Sequence, residues 1–236
     1  MTSGWDTSAS AWIAAMGERG DFAREHVLDP AMQERVLARP HHVALDVGCG
    51  EGRFCRWLRS RDLRVTGIDP TERLVAEARL RDPSGDYRIA KAESLPFAQC
   101  SFDLVVSYLS LIDIADFRTA LKEMMRVLRP GGTLLIANIN SFISSRPHGW
   151  VTDQDGRHLY YPIDRYSEEF SEWVAWGEIR IENWHRPLSA YMRTLLDLNL
   201  ALTYFDEPLP RSGGAERQQV FRRAPWFLIM EWRKGD

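Results

Sequence analysis

Cysteine is scarce in this chain. Its 236 residues hold three, Cys49, Cys55 and Cys100, without metal-ligand spacing and without a histidine nearby in sequence, which argues against a disulfide framework and against a metal site. Structural or neutral roles are expected for all three. No sign of charge predominates either. Thirty Lys and Arg stand against 33 Asp and Glu, a net charge of -3, and the two signs are interspersed, so the footprint of a nucleic-acid binder is missing. Apolar runs stop at strand length, and the first residues form no charged-then-apolar leader, so neither membrane attachment nor secretion is expected, and a cytoplasmic protein is. Internal repeats and low-complexity tracts are lacking, and Arg211 to Ala215 (RSGGA) is the one linker-like piece. The length suits a single α/β domain over 1–236 with an insertion.

Against that background the run LDVGCGEGRF, Leu45 to Phe54, is distinctive. It joins an apolar strand to a helix through Gly48, Gly50 and Gly52, spaced two apart. A loop without β-carbons lets the backbone pass close under a bulky ligand, and the helix that follows offers free N–H groups. Dinucleotide folds space such glycines G-x-G-x-x-G, but here Arg53 stands in the third glycine's place. Asp46 sits two residues before the first glycine, where a carboxylate repels a pyrophosphate and attracts a cation. The strand Arg64–Ile68 then ends in Asp69, about 20 residues beyond the loop, where doubly wound nucleotide folds carry the carboxylate that accepts from ribose hydroxyls. Together these residues predict a pocket for a positively charged, nucleoside-like ligand.

The remaining pattern alternates strand and helix. Thr71 reads as the N-cap of a helix through Leu74, Ala78 and Arg81, and Tyr87 to Ala90 as a short third strand. Ser101 to Tyr108 (SFDLVVSY) has the composition of a parallel strand covered on both faces. Phe117, Leu121, Met124 and Leu128 repeat at helical spacing until Pro130-Gly131-Gly132. Later, Leu188, Tyr191, Met192, Leu195 and Leu196 form a helical stripe that starts near Pro187 and ends at Asn199, before strands at Leu200–Phe205 and Pro225–Trp232.

From Leu45 to Ile139 these motifs, in this order, resemble those of the class I S-adenosylmethionine-dependent methyltransferases, and RVLRPGGTLLI resembles the small-molecule branch that includes quinone C-methyltransferases. The resemblance implies a Rossmann-like, doubly wound, seven-stranded α/β sheet, mostly parallel with an antiparallel last strand and helices on both faces. It implies S-adenosyl-L-methionine as cofactor and S-adenosyl-L-homocysteine as product. Asp46, Gly48, Cys49, Gly50, Gly52, Asp69 and Pro70 would hold the cofactor, with Ala92 and Glu93 at the adenine edge and Ser107, beside Tyr108, at the strand end facing it. The chain divides accordingly into a helical lid (1–40), a cofactor-binding core (41–139), an acceptor-side insertion (140–186) and the C-terminal part of the sheet (187–236).

The insertion carries Trp150, Tyr160, Tyr161, Tyr166, Phe170, Trp173, Trp176 and Trp184, and its alternation around Gly177 predicts a two-stranded aromatic hairpin. An isolated hairpin is marginal in water, so this one packs either on its own domain or on a second copy in a homodimer. Its rings form either an aromatic satellite core or, with Trp173, Trp184, Arg186 and Tyr161 in contact, the wall of an apolar or aromatic acceptor. Arg186 binds an acidic acceptor or pairs with Glu182. An acceptor that must lose a proton needs a base. His148, His158 and His185 are candidates, His185 foremost because HRPLS resembles a segment bordering the acceptor pocket in related enzymes, with Tyr160, Tyr161 and Tyr166 as alternative proton handlers. The expected activity is methyl transfer to a small molecule, oxygen and nitrogen acceptors ahead of carbon and sulfur, with no metal. Three alternatives stand beside it. Macromolecule methylation is disfavoured by the charge pattern and by Ser107-Tyr108-Leu109-Ser110, which replaces the Asp/Asn-Pro-Pro-aromatic tetrapeptide of amino-group nucleobase methyltransferases. Aminopropyl transfer is disfavoured by Asp46, and a cofactor-binding regulator or inactive homologue by the intact loop.

Overall fold

A computed structural model describes residues 4–145 and 149–235. Two N-terminal helices, α1 (Trp5–Met16) and α2 (Asp29–Leu37), are joined through a π-helical turn at Arg24–Leu28. The sheet region runs β1 (Val43–Val47), α3 (Arg53–Arg59), β2 (Arg64–Asp69), α4 (Glu72–Arg81), β3 (Asp86–Ile89), β4 (Phe102–Tyr108), a 3-10 turn at Leu111–Asp113, α5 (Phe117–Val127) and β5 (Leu128–Ile139). Next come α6 (Ser141–Ser144), the short strands β6 (Val151–Thr152) and β7 (His158–Tyr160), and the pair β8 (Phe170–Trp176) and β9 (Ile179–His185). The chain closes with α7 (Leu188–Asp197), β10 (Leu200–Asp206), α8 (Ala215–Arg223) and β11 (Phe227–Lys234).

Seven strands form one sheet in the order β10-β11-β5-β4-β1-β2-β3. The five from β3 to β5 are parallel, and β11 lies antiparallel between β5 and β10. This is the doubly wound seven-stranded arrangement that the family resemblance implies. Strand order reverses between β1 and β4, and in open α/β sheets a ligand crevice forms at the carboxyl ends of the strands at such a point. The central strands are covered on both sides, Leu104, Val105 and Val106 being fully buried, because one apolar cluster lies on each face. The connections between the five parallel strands put helices on both faces, and continuous apolar strands are the sequence consequence.

Arg53 clamps the N-terminal helices to the glycine loop. Its guanidinium holds both oxygens of Asp29 at 2.5 and 2.9 Å, and the Tyr108 hydroxyl donates to Asp29 Oδ1 at 2.7 Å. Residues 170–185 form a separate antiparallel pair, β8 on β9, turning at Gly177 with φ 53°. The pair packs on its own domain: Ser8 Oγ of α1 donates to Arg180 O and accepts from Arg180 N, each at 3.0 Å, and the Trp12 ring meets Trp176 edge-on at 6.4 Å.

Two elements depart from the sequence expectations. The fifth helix ends at Val127 rather than at Pro130, because Leu128 already pairs with Phe102 and a residue before proline avoids the helical region. And α8 follows directly on the stretch that reads as a linker. None of its residues is buried, so it has no apolar stripe that a sequence pattern would reveal.

Candidate functional site

The three loop glycines all have positive φ, 78°, 56° and 79°, yet the space around them differs. A β-carbon on Gly48 would overlap Ser110 Cβ, and one on Gly52 would lie 2.7 Å from the Tyr87 ring. Only at Gly50 is the space open, with no atom within 4 Å. Gly48 and Gly52 therefore serve internal packing, and Gly50 alone of the three leaves open space over its bare backbone. Gly48 N–H and Cys49 N–H donate to Ile68 O, tying the loop to the end of β2. Cys49 itself turns its sulfur inward, toward Gly67; its hydrogen bond with Cys55 lowers the thiol's pKa, but burial and the carboxylates Asp69, Asp46 and Glu51 outweigh it and push the thiol up to about 11, and burial raises the Cys55 thiol too. Both are inert packing groups.

Asp46 is 1% exposed. Its Oδ2 accepts from Cys55 Sγ at 3.3 Å, while Oδ1 has no partner among the described residues. Loss of water pushes this carboxyl up to about 7, helped by Asp69 and Glu51 and opposed by the Cys55 hydrogen bond and Arg53. Across the loop, Asp69 Oδ1 accepts from Thr71 N–H at 2.9 Å and Oδ2 from Gly50 N–H at 3.0 Å. Burial raises its pKa and these two backbone donors lower it. Thr71 stands at the N-cap position, but its hydroxyl makes no cap bond; the Asp69 carboxylate fixes that turn instead. Each Asp69 oxygen retains acceptor capacity, as a carboxylate has about four lone-pair sites. An unpaired buried anion oxygen, a braced second carboxylate and open space over Gly50 fit a ligand with one cationic end and a diol.

The rim completes the cradle. Pro70 is exposed beside Asp69, Ala92 is buried and Glu93 half-buried. The segment after them is pinned from α5, where Glu123 Oε2 accepts from Leu95 N–H at 2.9 Å and Arg126 donates to the carbonyls of Leu95 and Phe97. Ser107 is fully buried and donates to Ser110 Oγ at 2.7 Å, because Ser110 gives its own proton to Val47 O at 2.6 Å. Ser107 thus braces the loop rather than facing the ligand. Asp113 is absent from the sequence expectations, and Ser110 figures there only in the tetrapeptide after β4. Asp113 ends the 3-10 turn, accepts from Asn183 Nδ2 of β9 at 2.5 Å, and is approached by the Trp5 indole of α1. Burial pushes its carboxyl up to about 8.

On the acceptor side, His185 is 2% exposed and both ring nitrogens are engaged. Nε2 lies 2.9 Å from Tyr166 O and Nδ1 2.9 Å from Ser144 Oγ. A carbonyl only accepts, so Nε2 carries the hydrogen and Nδ1 accepts from Ser144; burial lowers the ring's pKa and keeps it neutral. Tyr166 stacks on Phe142, and its phenol oxygen accepts from Leu188 N–H at 3.3 Å. The Tyr161 hydroxyl donates to Ile143 O at 3.1 Å. His185, Tyr166, Tyr161 and Ser144 thus gather around α6, at the carboxyl end of β5.

Other sequence candidates do not join them. Arg186 is 1% exposed and donates to the carbonyls of Leu111, Ile114 and Ala115 at 3.0, 2.5 and 2.9 Å, so it fixes the turn after β4 and does not pair with Glu182. Trp184 stacks against Arg186, and with Trp173 it lies on the face of β8–β9 opposite Asn183, since neighbouring strand residues alternate faces. Trp173 is 44% exposed. The placement of both removes the reason for reading them as an acceptor wall. His158 stacks on Trp150 in an exposed strand, and His148 lies outside the described residues. Among the described residues no group of three or more metal-ligating side chains converges, and no helix is long and apolar enough to cross a membrane.

Comparison with known proteins agrees with this geometry. Residues 45–136 match a family model described as a methyltransferase domain. A malonyl-[acyl-carrier protein] O-methyltransferase of Salmonella typhimurium is 33% identical over 186 residues, covering 77% of this chain and 74% of that one. Its counterpart from Enterobacter lignolyticus is 36% identical over 109 residues, 46% of this chain and 43% of that one, so the match spans less than half of that relative's length. A solved S-adenosylmethionine-dependent methyltransferase from Mesorhizobium loti superposes with a TM-score of 0.77 at 27% identity, covering 92% of this chain and all of that one.

Proposed function

The chain belongs to the S-adenosylmethionine-dependent methyltransferases, and from that membership we propose that it transfers a methyl group to an oxygen of a small, largely apolar acceptor. The observation that carries the donor half is the buried, unpartnered Oδ1 of Asp46 beside a loop that is open only at Gly50. A cationic ammonium satisfies that oxygen, and Asp69 accepts from the ribose hydroxyls. The acceptor half is supported by the oxygen chemistry in the names of the curated relatives and by the aromatic shell at α6.

When bound, S-adenosylmethionine supplies an electrophilic methyl group on positively charged sulfur. Asp46, Gly50 and Asp69 would hold and orient the two ends of the donor, and such positioning is much of what an already activated donor requires. The His185–Ser144 pair serves an acceptor that carries a proton: Ser144 Oγ passes the acceptor's proton to Nδ1 while the Tyr166 carbonyl holds the ring's orientation. A carboxylate acceptor needs no such step. Three free cysteines accord with a cytoplasmic enzyme.

The reading is tested in two stages. Calorimetric titration with S-adenosylhomocysteine should give saturable binding. Incubation with methyl-labelled S-adenosylmethionine and a panel of carboxylates, phenols and amines should then label an oxygen compound. Folded protein that binds no cofactor, or binds it and labels only nitrogen or carbon acceptors, overturns the respective half.

A further inference from the structure

The donor reading above assigns partners to the ammonium and ribose ends of the cofactor and leaves its charged sulfur unmatched; the inference that follows rests on that reading. We propose that Asp113 answers the sulfur's charge, its carboxylate facing the positive sulfur of the donor, so that the site distinguishes the sulfonium donor from the neutral thioether product.

Four observations carry this. First, the turn that carries Asp113 starts against the glycine loop. Ser110, three residues upstream, packs against Gly48 and donates to Val47 O, so the turn rises from the crevice between β1 and β4. Second, its direction is fixed from two separate elements, by Asn183 Nδ2 of β9 at 2.5 Å and by the Trp5 indole of α1. Third, the turn is held rigidly from behind by the Arg186 guanidinium on the carbonyls of Leu111, Ile114 and Ala115. A surface aspartate has no use for such support, whereas a binding group placed to within a fraction of an ångström does. Fourth, a charge of its own sign acts on it: Asp69 of β2, which is itself acted on by Asp6 of α1. The cation that faces it is Arg24, which is already engaged by Asp21 at 2.9 Å and stacked on Trp12. Loss of water and the Asp69 charge favour the protonated form of the Asp113 carboxyl against its two N–H donors, and a sulfonium reverses that preference.

The product keeps the ammonium and loses the sulfur's charge, so comparing the two ligands isolates Asp113 from Asp46. Binding of S-adenosylmethionine and of S-adenosylhomocysteine is measured calorimetrically at pH 7 in phosphate and in Tris, whose different ionisation heats report protons released. Wild-type protein should release more protons with the sulfonium ligand than with the thioether. Asp113→Asn should abolish that excess and shift the affinity ratio of the two ligands toward the thioether by at least about fivefold, the value for one charge pair about 4 Å apart in bulk water, and by more where the site excludes water. Asp46→Asn should weaken both ligands and leave the ratio near its wild-type value. Equal proton release by wild-type protein overturns the proposal without any variant, and so does an Asp113→Asn protein with an unchanged ratio. Failure of both ligands to bind wild-type protein overturns the donor reading itself.

Discussion

Replacing Asp46 by asparagine should stabilise the empty protein while weakening its hold on the cofactor. The Asp46 carboxyl rises from an ordinary 3.8 to about 7 in the fold, chiefly because burial removes its water. A carboxyl that binds its proton more tightly when folded favours the folded state fully below pH 3.8, and that contribution is lost as the pH climbs through about 7. A rise of roughly three pH units, at about 1.4 kcal/mol each, bounds the loss at about 4 kcal/mol. Asparagine does not titrate, but its amide leaves one buried donor unmatched at a cost of about 1–2 kcal/mol. The variant should therefore gain about 2–3 kcal/mol over wild type at pH 8 and nothing, or a small loss, at pH 4. Urea melts of both proteins at pH 4, 6 and 8 measure this, and titration with S-adenosylhomocysteine measures the other side, where loss of the charged hydrogen bond to the ammonium should cost about 2–4 kcal/mol. A variant whose stability difference from wild type is the same at all three pH values refutes the assignment of a raised pKa. One that binds the cofactor with wild-type affinity refutes the role of Asp46 in holding it.

Further expectations concern the neighbouring groups. Asp69→Ala should weaken S-adenosylhomocysteine by about 2–4 kcal/mol in the same titration, since it removes the acceptor for the ribose hydroxyls and frees Gly50 N–H. Gly50→Ala and Gly48→Ala should separate cleanly: alanine at 50 meets open space and bears mainly the strain of φ 56°, about 1 kcal/mol, yet blocks the ligand, whereas alanine at 48 overlaps Ser110 and should lower the melting temperature much further. Arg53→Ala leaves the buried Asp29 facing only the Tyr108 hydroxyl and should destabilise the fold by about 3 kcal/mol in denaturant melts, with loss of protection of α2 in hydrogen exchange as its local signature. Arg186→Lys should act on the turn after β4, so that cofactor binding weakens together with stability; normal cofactor affinity combined with a selective loss for acidic acceptors would restore the acceptor-binding role first read for this residue.

Much of the fold was legible because it is written in local periodicity. Continuous apolar strands, helical stripes and the loop glycines set the order of elements from β1 to β5, and the carboxylates Asp46 and Asp69 stand at strand ends that any parallel sheet of this order brings together. The left-handed Asn199, at φ 57°, and the turn at Gly177 were local matters of the same kind. The functional roles within that frame were less legible, because a side chain's neighbours come from distant segments. Three glycines at equal spacing look equivalent along the chain, but Ser110 and Tyr87 occupy the space at two of them and leave only Gly50 open. Arg186 looks like an acceptor ligand until the turn at Leu111–Ala115 folds over it, and Trp173 and Trp184 turn away once strand alternation puts Asn183 inward. Asp113 carries no signal in its own neighbourhood, since its character comes from Asn183, 70 residues later, and from Trp5 near the chain's beginning. Backbone geometry depends on residues a few positions apart and so is recorded in sequence, whereas burial and the electrostatic field at a carboxyl group depend on what the whole chain packs around it.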